Sequence, residues 1–143
     1  MRHSIAGRST VVGTTVRAGA SLFATASVGA KLREVGITNT TSTAFAAALC
    51  RFTNATGVGA ALTEVDYDPA SPAIATGFAG HTADGAVGAN FRYGSIGAAV
   101  GAGMVWTFGD SGMLIPVGTA NGIGIICPTG TGQIFDYWID WDE

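Results

Sequence analysis

The segment from Ile134 to Trp141 constrains the fold more than any other part of the chain. One set of alternate positions carries only large apolar residues: Phe135, Tyr137, Ile139 and Trp141. The other set carries two acids with two apolar residues: Ile134, Asp136, Trp138 and Asp140. A period of two is that of a half-buried β-strand. Because burying an unpaired carboxylate is costly, we expect the first set to face the core.

Gly, Pro and Asn interrupt the rest of the chain at short intervals, and long 3.6-residue periodicity is lacking. The 22 Gly among 143 residues disfavour helix interiors. Between the turn signals, short strands are predicted over 21–28, 31–39, 45–52, 62–67, 73–80, 91–93 with 96–100, 104–108, 113–117 and 122–127. So many short strands predict an all-β fold, a jelly-roll-like β-sandwich.

The length suits one domain. Residues 1–19 are polar, basic and punctuated by Gly, which predicts an extended N-terminal arm. Residues 20–143 are predicted to form a single β-sandwich domain. Within the arm, we expect Arg2, Arg8 and Arg17 to bind carboxylates of a partner protein.

The charges are segregated along the chain. Residues 1–51 carry six cations against Glu34 alone, whereas residues 52–143 carry Arg92 against nine acids. This split favours head-to-tail contact between copies or docking on an acidic surface. It is equally compatible with pairing of the two halves inside one fold. The net charge of −3 argues against a nucleic-acid partner, and no apolar run approaches the ~20 residues that span a membrane.

The motif Gly-Asp-Ser-Gly at 109–112 is the strongest candidate for catalysis, because it surrounds the nucleophile of chymotrypsin-like proteases. That chemistry needs a histidine and an acid beside Ser111. The chain has only His3, predicted to lie in the arm, and His81, predicted to lie in a surface loop from 81 to 90. We therefore interpret the motif as a tight hairpin turn. The sequence predicts no enzyme, no catalytic residue and no cofactor. It predicts no metal ligand either, since the acidic chain end (Asp140, Asp142 and Glu143) is interpreted as solvated.

Several segments resemble small structural proteins of tailed bacteriophages, especially those of actinobacterial phages. The resemblance is carried by LREVGITNTT at 32–41, WTFGDSGMLIP at 106–116, GTANGIG at 118–124 and the final WDE at 141–143. It implies a jelly-roll-like virion domain, such as a capsid decoration (cement) protein. Such proteins commonly sit as trimers on the shell.

From these features we expect a non-enzymatic virion protein, made in the host cytoplasm and located on the capsid surface. Its partners would be the major capsid protein and its own copies, as a homotrimer, with no nucleic acid or membrane. The alternative is a tail or fibre component that binds a host surface ligand through residues 81–90. The predicted partner-binding residues are Arg2, Arg8, Arg17, Ile134 and Trp138.

Overall fold

The computed structural model describes residues 1–53 and 59–143, which form twelve strands and no helix. The strands are β1 (Arg2–Arg8), β2 (Ala20–Phe23), β3 (Ala30–Asn39), β4 (Phe45–Thr53), β5 (Ala60–Ala61), β6 (Val65–Asp66), β7 (Thr76–Ala79), β8 (Ala86–Ile96), β9 (Gly103–Thr107), β10 (Met113–Ile115), β11 (Asn121–Ile126) and β12 (Phe135–Asp142). They form two antiparallel sheets packed as a sandwich, so the predicted all-β sandwich is confirmed.

Sheet A has the order β10–β3–β12–β1–β6, with β9 also paired to β3. Sheet B has the order β5–β7–β2–β11–β4–β8. The chain passes from one sheet to the other at most of its connections, which is compatible with a jelly roll.

Strand β12 lies in the middle of sheet A, between β3 and β1. Its predicted core face is confirmed, since all four side chains are at most 2 % exposed: Phe135, Tyr137, Ile139 and Trp141. The opposite face of β12 points away from sheet B. The period-two pattern therefore identified both the strand and its buried side.

The predicted N-terminal arm is wrong. Arg2–Arg8 is strand β1, which pairs with β12 over its whole length and with β6 on its other side. Ile5 is fully buried in the main core. Residues 9–19 continue into the sandwich, where the Gly19 amide donates to the Ile125 carbonyl. Residues 1–19 therefore belong to the same domain as the rest. Strand β1 supplies hydrogen-bond partners to the backbone groups on the edge of β12 that does not pair with β3.

The Gly-Asp-Ser-Gly motif is a turn, but it does not join a hairpin. Strands β9 and β10 run in the same direction along β3, and residues 109–112 interrupt them opposite Arg33. The Arg33 guanidinium donates to the carbonyls of Gly109 and Asp110 and holds this turn in place. Gly109 and Gly112 have φ of 61° and 63°, a conformation that favours glycine. Ser111 is exposed at the turn.

The part of the outer face of sheet B that β2, β11 and β4 form is covered by the chain itself, whereas Tyr93 on the edge strand β8 is 56 % exposed. A second apolar cluster on this face includes Ala18, Phe23, Cys50 and Phe52. The segments 16–19 and 80–85 lie over it, joined by hydrogen bonds such as that from the His81 amide to the Ala18 carbonyl.

The loop predicted over 81–90 is wrong for its second half. Residues from Ala86 onward belong to β8, which pairs with β4 and forms one edge of sheet B. The small residues Ala86, Gly88 and Ala89 are poor strand signals, so pairing with the long neighbouring strand decides the conformation.

Candidate interaction surface

The outer face of sheet A remains open to solvent and carries an apolar row across four strands. The row consists of directly opposite residues, Val105 on β9, Gly36 on β3, Trp138 on β12 and Ala6 on β1. Val105 is 50 % exposed, and Trp138 is half-buried. Sheet A thus presents an apolar strip at its surface.

Trp138 is held flat on this face by its neighbours on β3. Its indole Nε1 donates to Glu34 Oε1 at 2.8 Å. The ring lies over Gly36, where an added Cβ would overlap the indole atoms. Glycine at position 36 therefore makes room for the ring, and the indole forms a flat platform on the open face.

Ion pairs within the fold border the apolar row. Arg8 Nε and Nη2 donate to the two carboxylate oxygens of Asp136 at 2.6 and 2.9 Å. The hydrogen bond from Arg8 and its charge lower the pKa of Asp136. Arg2 and Arg33 both approach Asp142, at 3.5 and 2.5 Å. Burial opposes ionisation of Asp142, but the two guanidinium groups outweigh it and lower its pKa.

Most of the basic residues in the first half of the chain form such ion pairs with acidic residues of the second half. Arg17 also has a partner inside the chain, Asp84, at 2.6 Å. Arg2, Arg8 and Arg17 therefore bind carboxylates of their own domain through contacts between the basic first half and the acidic second half. Of the two interpretations of the charge split, internal pairing accounts for these three residues.

Two hollows extend the open face. One, of 520 Å³, lies beside β10 and is lined by the exposed apolar residues Leu114, Pro116 and Val117 together with charged residues such as Lys31 and Asp142. The other, of 340 Å³, is polar and includes Glu34, Asp110 and Asp140 in its lining. The open face is therefore neither flat nor uniform in polarity.

The predicted partner-binding residues do not form one cluster. Arg2, Arg8 and Trp138 share the outer face of sheet A. Arg17 lies in the connection between β1 and β2. Ile134 precedes β12, is half-buried, and its carbonyl accepts a hydrogen bond from Thr40 Oγ1 at 2.5 Å. Val105 and Leu114 were not predicted from the sequence as surface residues of this face, because their outward positions are set by pairing with β3.

Both histidines are buried and bound away from Ser111, contrary to the predictions of His3 in an extended arm and His81 in a surface loop. His3 Nδ1 lies 2.8 Å from Asp66 Oδ1. His81 Nε2 lies 2.6 Å from Ser21 Oγ, and its ring packs edge-on against Phe52 at 4.9 Å between centroids. Ser21 is 0 % and His81 1 % exposed, so this serine–histidine pair has no access to a substrate and is structural.

No protein family, curated protein or solved structure matches this chain. The resemblance to phage structural proteins therefore stays a prediction. Among the described residues, no helix is long and apolar enough to cross a membrane. Within the same ranges, 1–53 and 59–143, no three His, Cys, Asp or Glu side chains group as metal ligands. Of the acidic chain end, Asp142 binds Arg33, and Glu143 accepts the amides of Ile74 and Ala75.

Burial of His81 predicts a loss of stability in mild acid. Burial lowers the pKa of His81 from 6.5 to about 4. The unfolded chain therefore takes up a proton first, so the His81 contribution is complete above pH 6.5 and lost as the pH falls to 4. We expect a loss of about 3 kcal/mol across this window in denaturant melts. The variant His81→Gln should flatten the slope between pH 6.5 and 4, and an unchanged slope would contradict the assignment.

Proposed function

We propose that this protein is a non-enzymatic structural protein of a bacteriophage virion that decorates the capsid shell. In this proposal, the outer face of sheet A docks on the major capsid protein. The observation that carries it is the apolar row on the outer face of sheet A. The chain packs its own segments 16–19 and 80–85 over β2, β11 and β4 of sheet B, whereas the row on sheet A keeps Val105 50 % exposed and Trp138 half-buried at the surface. Exposed apolar surface bordered by polar residues is typical of a protein-binding site.

The phage setting of the proposal rests on the resembling segments, three of which lie side by side in sheet A. Residues 32–41 contain most of β3, residues 106–116 contain β10 and the end of β9, and residues 141–143 include the end of β12. These segments contribute Gly36 to the apolar row and several residues to the linings of the two hollows, whereas Trp138 and Val105 lie outside them. The part of the molecule that suggests a virion protein therefore adjoins the proposed docking face.

Binding by many identical copies explains how a small docking face on each copy would be sufficient for stable attachment to the capsid. A stable protein interface buries roughly 1,200–2,000 Å² in total. On a shell, each copy contributes a separate contact, and linked copies gain avidity without any single contact being strong. A homotrimer on the capsid surface would use this effect.

Replacing Trp138 tests the proposed docking face. Trp138→Ala should weaken binding to undecorated capsids of the encoding phage by at least about tenfold, as truncation of a central interface aromatic does. Co-sedimentation with purified capsids measures this, and a thermal melt confirms that the variant is folded. Tyr93→Ala removes another exposed aromatic, on β8 of sheet B, and should bind as the parent does.

Two results would count against the proposal. If Trp138→Ala decorates capsids as well as the parent, the open face of sheet A is not the docking face. If quantitative mass spectrometry finds a handful of copies per virion instead of hundreds, the protein is a tail or fibre component.

A further inference from the structure

One end of the sandwich carries four connections without a charged residue. They lie where β1, β3 and β8 finish and β12 begins, and they comprise residues 9–16, 40–44, 97–102 and 128–134. They contain Ser, Thr, Gly, Ala, Val, Pro, Gln and Ile, and no Asp, Glu, Lys, Arg or His. Arg17, which follows the first of them, is paired with Asp84. We call the surface of these four connections the uncharged end.

Hydrogen bonds join the connections of the uncharged end to one another. Thr41 Oγ1 donates to Gln133 Oε1 at 3.0 Å, which links the second connection to the fourth. The Cys127 amide, directly before the fourth connection, donates to the Thr14 carbonyl of the first at 3.2 Å. The first, second and fourth connections therefore form one continuous surface.

The third connection, the turn 97–102, is the most exposed apolar part of this end. Its sequence is Gly-Ala-Ala-Val-Gly-Ala, and Val100 is 73 % exposed, the largest fraction among the large apolar residues of the described ranges. The buried Asn39, at the end of β3, fixes both ends of the turn. Its side-chain Nδ2 donates to the Gly97 carbonyl at 2.9 Å, and its backbone amide donates to the Ala102 carbonyl at 2.7 Å. The turn is therefore tied down at both ends while its apolar middle faces solvent.

An apolar pocket of a protein is the partner chemistry that fits this turn. Transfer of the Val100 side chain from water to an apolar pocket is favourable. A pocket lined by charged groups would lose their hydration and find no counter-ion on the uncharged end. Lipid surfaces are bound through Lys or Arg with Trp, Phe or Leu, and the uncharged end contains none of these. A protein pocket without charge is therefore favoured over a membrane.

The turn is continuous with the proposed docking face but points in another direction. It leads directly into β9, which carries Val105 of the apolar row. Side chains of that row point out of sheet A, whereas the turn lies at the ends of the strands and faces along them. When sheet A lies on the capsid, the uncharged end therefore faces protein beside the docked copy.

We propose that the uncharged end is a second protein-binding surface, on which the turn 97–102 enters an apolar pocket of a capsid protein subunit beside the docked copy. The inference rests on the proposed function and adds a contact that is separate from the outer face of sheet A.

A carboxylate placed on the turn tests this contact. Val100→Asp should weaken binding to undecorated capsids of the encoding phage at least about tenfold in co-sedimentation, because the charge would enter an apolar pocket unpaired. Ala98→Asp, on the same turn, should have the same effect. Ile74→Asp is the matched control. Ile74 is 49 % exposed at the opposite end of the sandwich, where its amide donates to Glu143, and its variant should bind as the parent does.

Two further measurements separate this contact from the docking face and from the fold itself. The double variant with Trp138→Ala and Val100→Asp should lose affinity by the product of the two single fold-losses, because contacts without shared partners contribute independently. The melting temperature of the free Val100→Asp protein should equal that of the parent, because Val100 is exposed on a turn.

Three results would overturn the inference. Val100→Asp could bind capsids as the parent does, or its free protein could melt at a lower temperature, which would place Val100 in the packing of its own fold. The parent could also sediment with neutral phosphatidylcholine vesicles, which would identify a lipid surface. A parent that binds no capsids overturns the proposed function and this contact together, whereas weaker binding of Trp138→Ala with unchanged binding of Val100→Asp overturns this contact alone.

Discussion

Deletion of residues 1–8 is expected to leave the chain unfolded. The deletion removes β1, whose seven residues each pair with β12 and which also pairs with β6. It also removes the fully buried Ile5 and exposes one edge of the central aromatic strand. A domain of this size has a total stability of roughly 5–15 kcal/mol, and losing an internal strand exceeds that margin. Far-ultraviolet circular dichroism and a thermal melt should show no cooperative transition.

Substitutions on the outer side of β1 provide the control for this deletion. Ser4 and Ala6 point away from the core, so Ser4→Ala and Ala6→Ser should change stability by less than about 0.5 kcal/mol. If the deletion variant instead melts cooperatively near the temperature of the full chain, β1 is a dispensable arm and its place in sheet A is wrong.

Ile139→Ala should destabilise the fold by about 2–5 kcal/mol, as for other large-to-small changes in a packed core. Ile139 is 0 % exposed and lies at the centre of sheet A. Its cross-strand neighbours, Ile5 on β1 and Val35 on β3, are also fully buried, so the cavity has little freedom to collapse. Urea unfolding of the purified protein measures the change.

The adjacent Trp138 provides the matched comparison, since it points to the opposite face of the same strand. Trp138→Ala loses one hydrogen bond and its packing on Gly36, and should cost about 1 kcal/mol of stability. If Trp138→Ala proves more destabilising than Ile139→Ala, the buried and open faces of β12 are reversed.

The strands with apolar alternation or β-branched residues were predictable from the sequence. The predicted ranges 31–39, 104–108 and 122–127 correspond to Ala30–Asn39, Gly103–Thr107 and Asn121–Ile126. Strand β8 was not predictable over its first half, because Gly and Ala have little preference for strands and its pairing partner is distant in sequence. Strand β1 was not predicted for a similar reason, since Gly7 and two arginines obscure the alternation of His3 and Ile5.

The open face was predictable only in part. The alternation around Trp138 indicated that an apolar residue would lie on the acidic side of β12. It gave no information on Val105 or Gly36, which reach the same row through pairing with β3. Arg8 and Arg17 were predicted to bind a partner protein from their charge alone. The carboxylates that they bind, those of Asp136 and Asp84, lie more than sixty residues away along the same chain.

By itself, the sequence determined the all-β class, the C-terminal strand and its buried side, because side-chain alternation and turn chemistry are local properties. Only the tertiary structure decided that β1 is internal, that Arg2, Arg8 and Arg17 pair within the domain, and that sheet A keeps an open face. Each of these depends on which distant strands become neighbours. That choice is made by burial and hydrogen bonding of the whole sandwich, and no local stretch of residues encodes it.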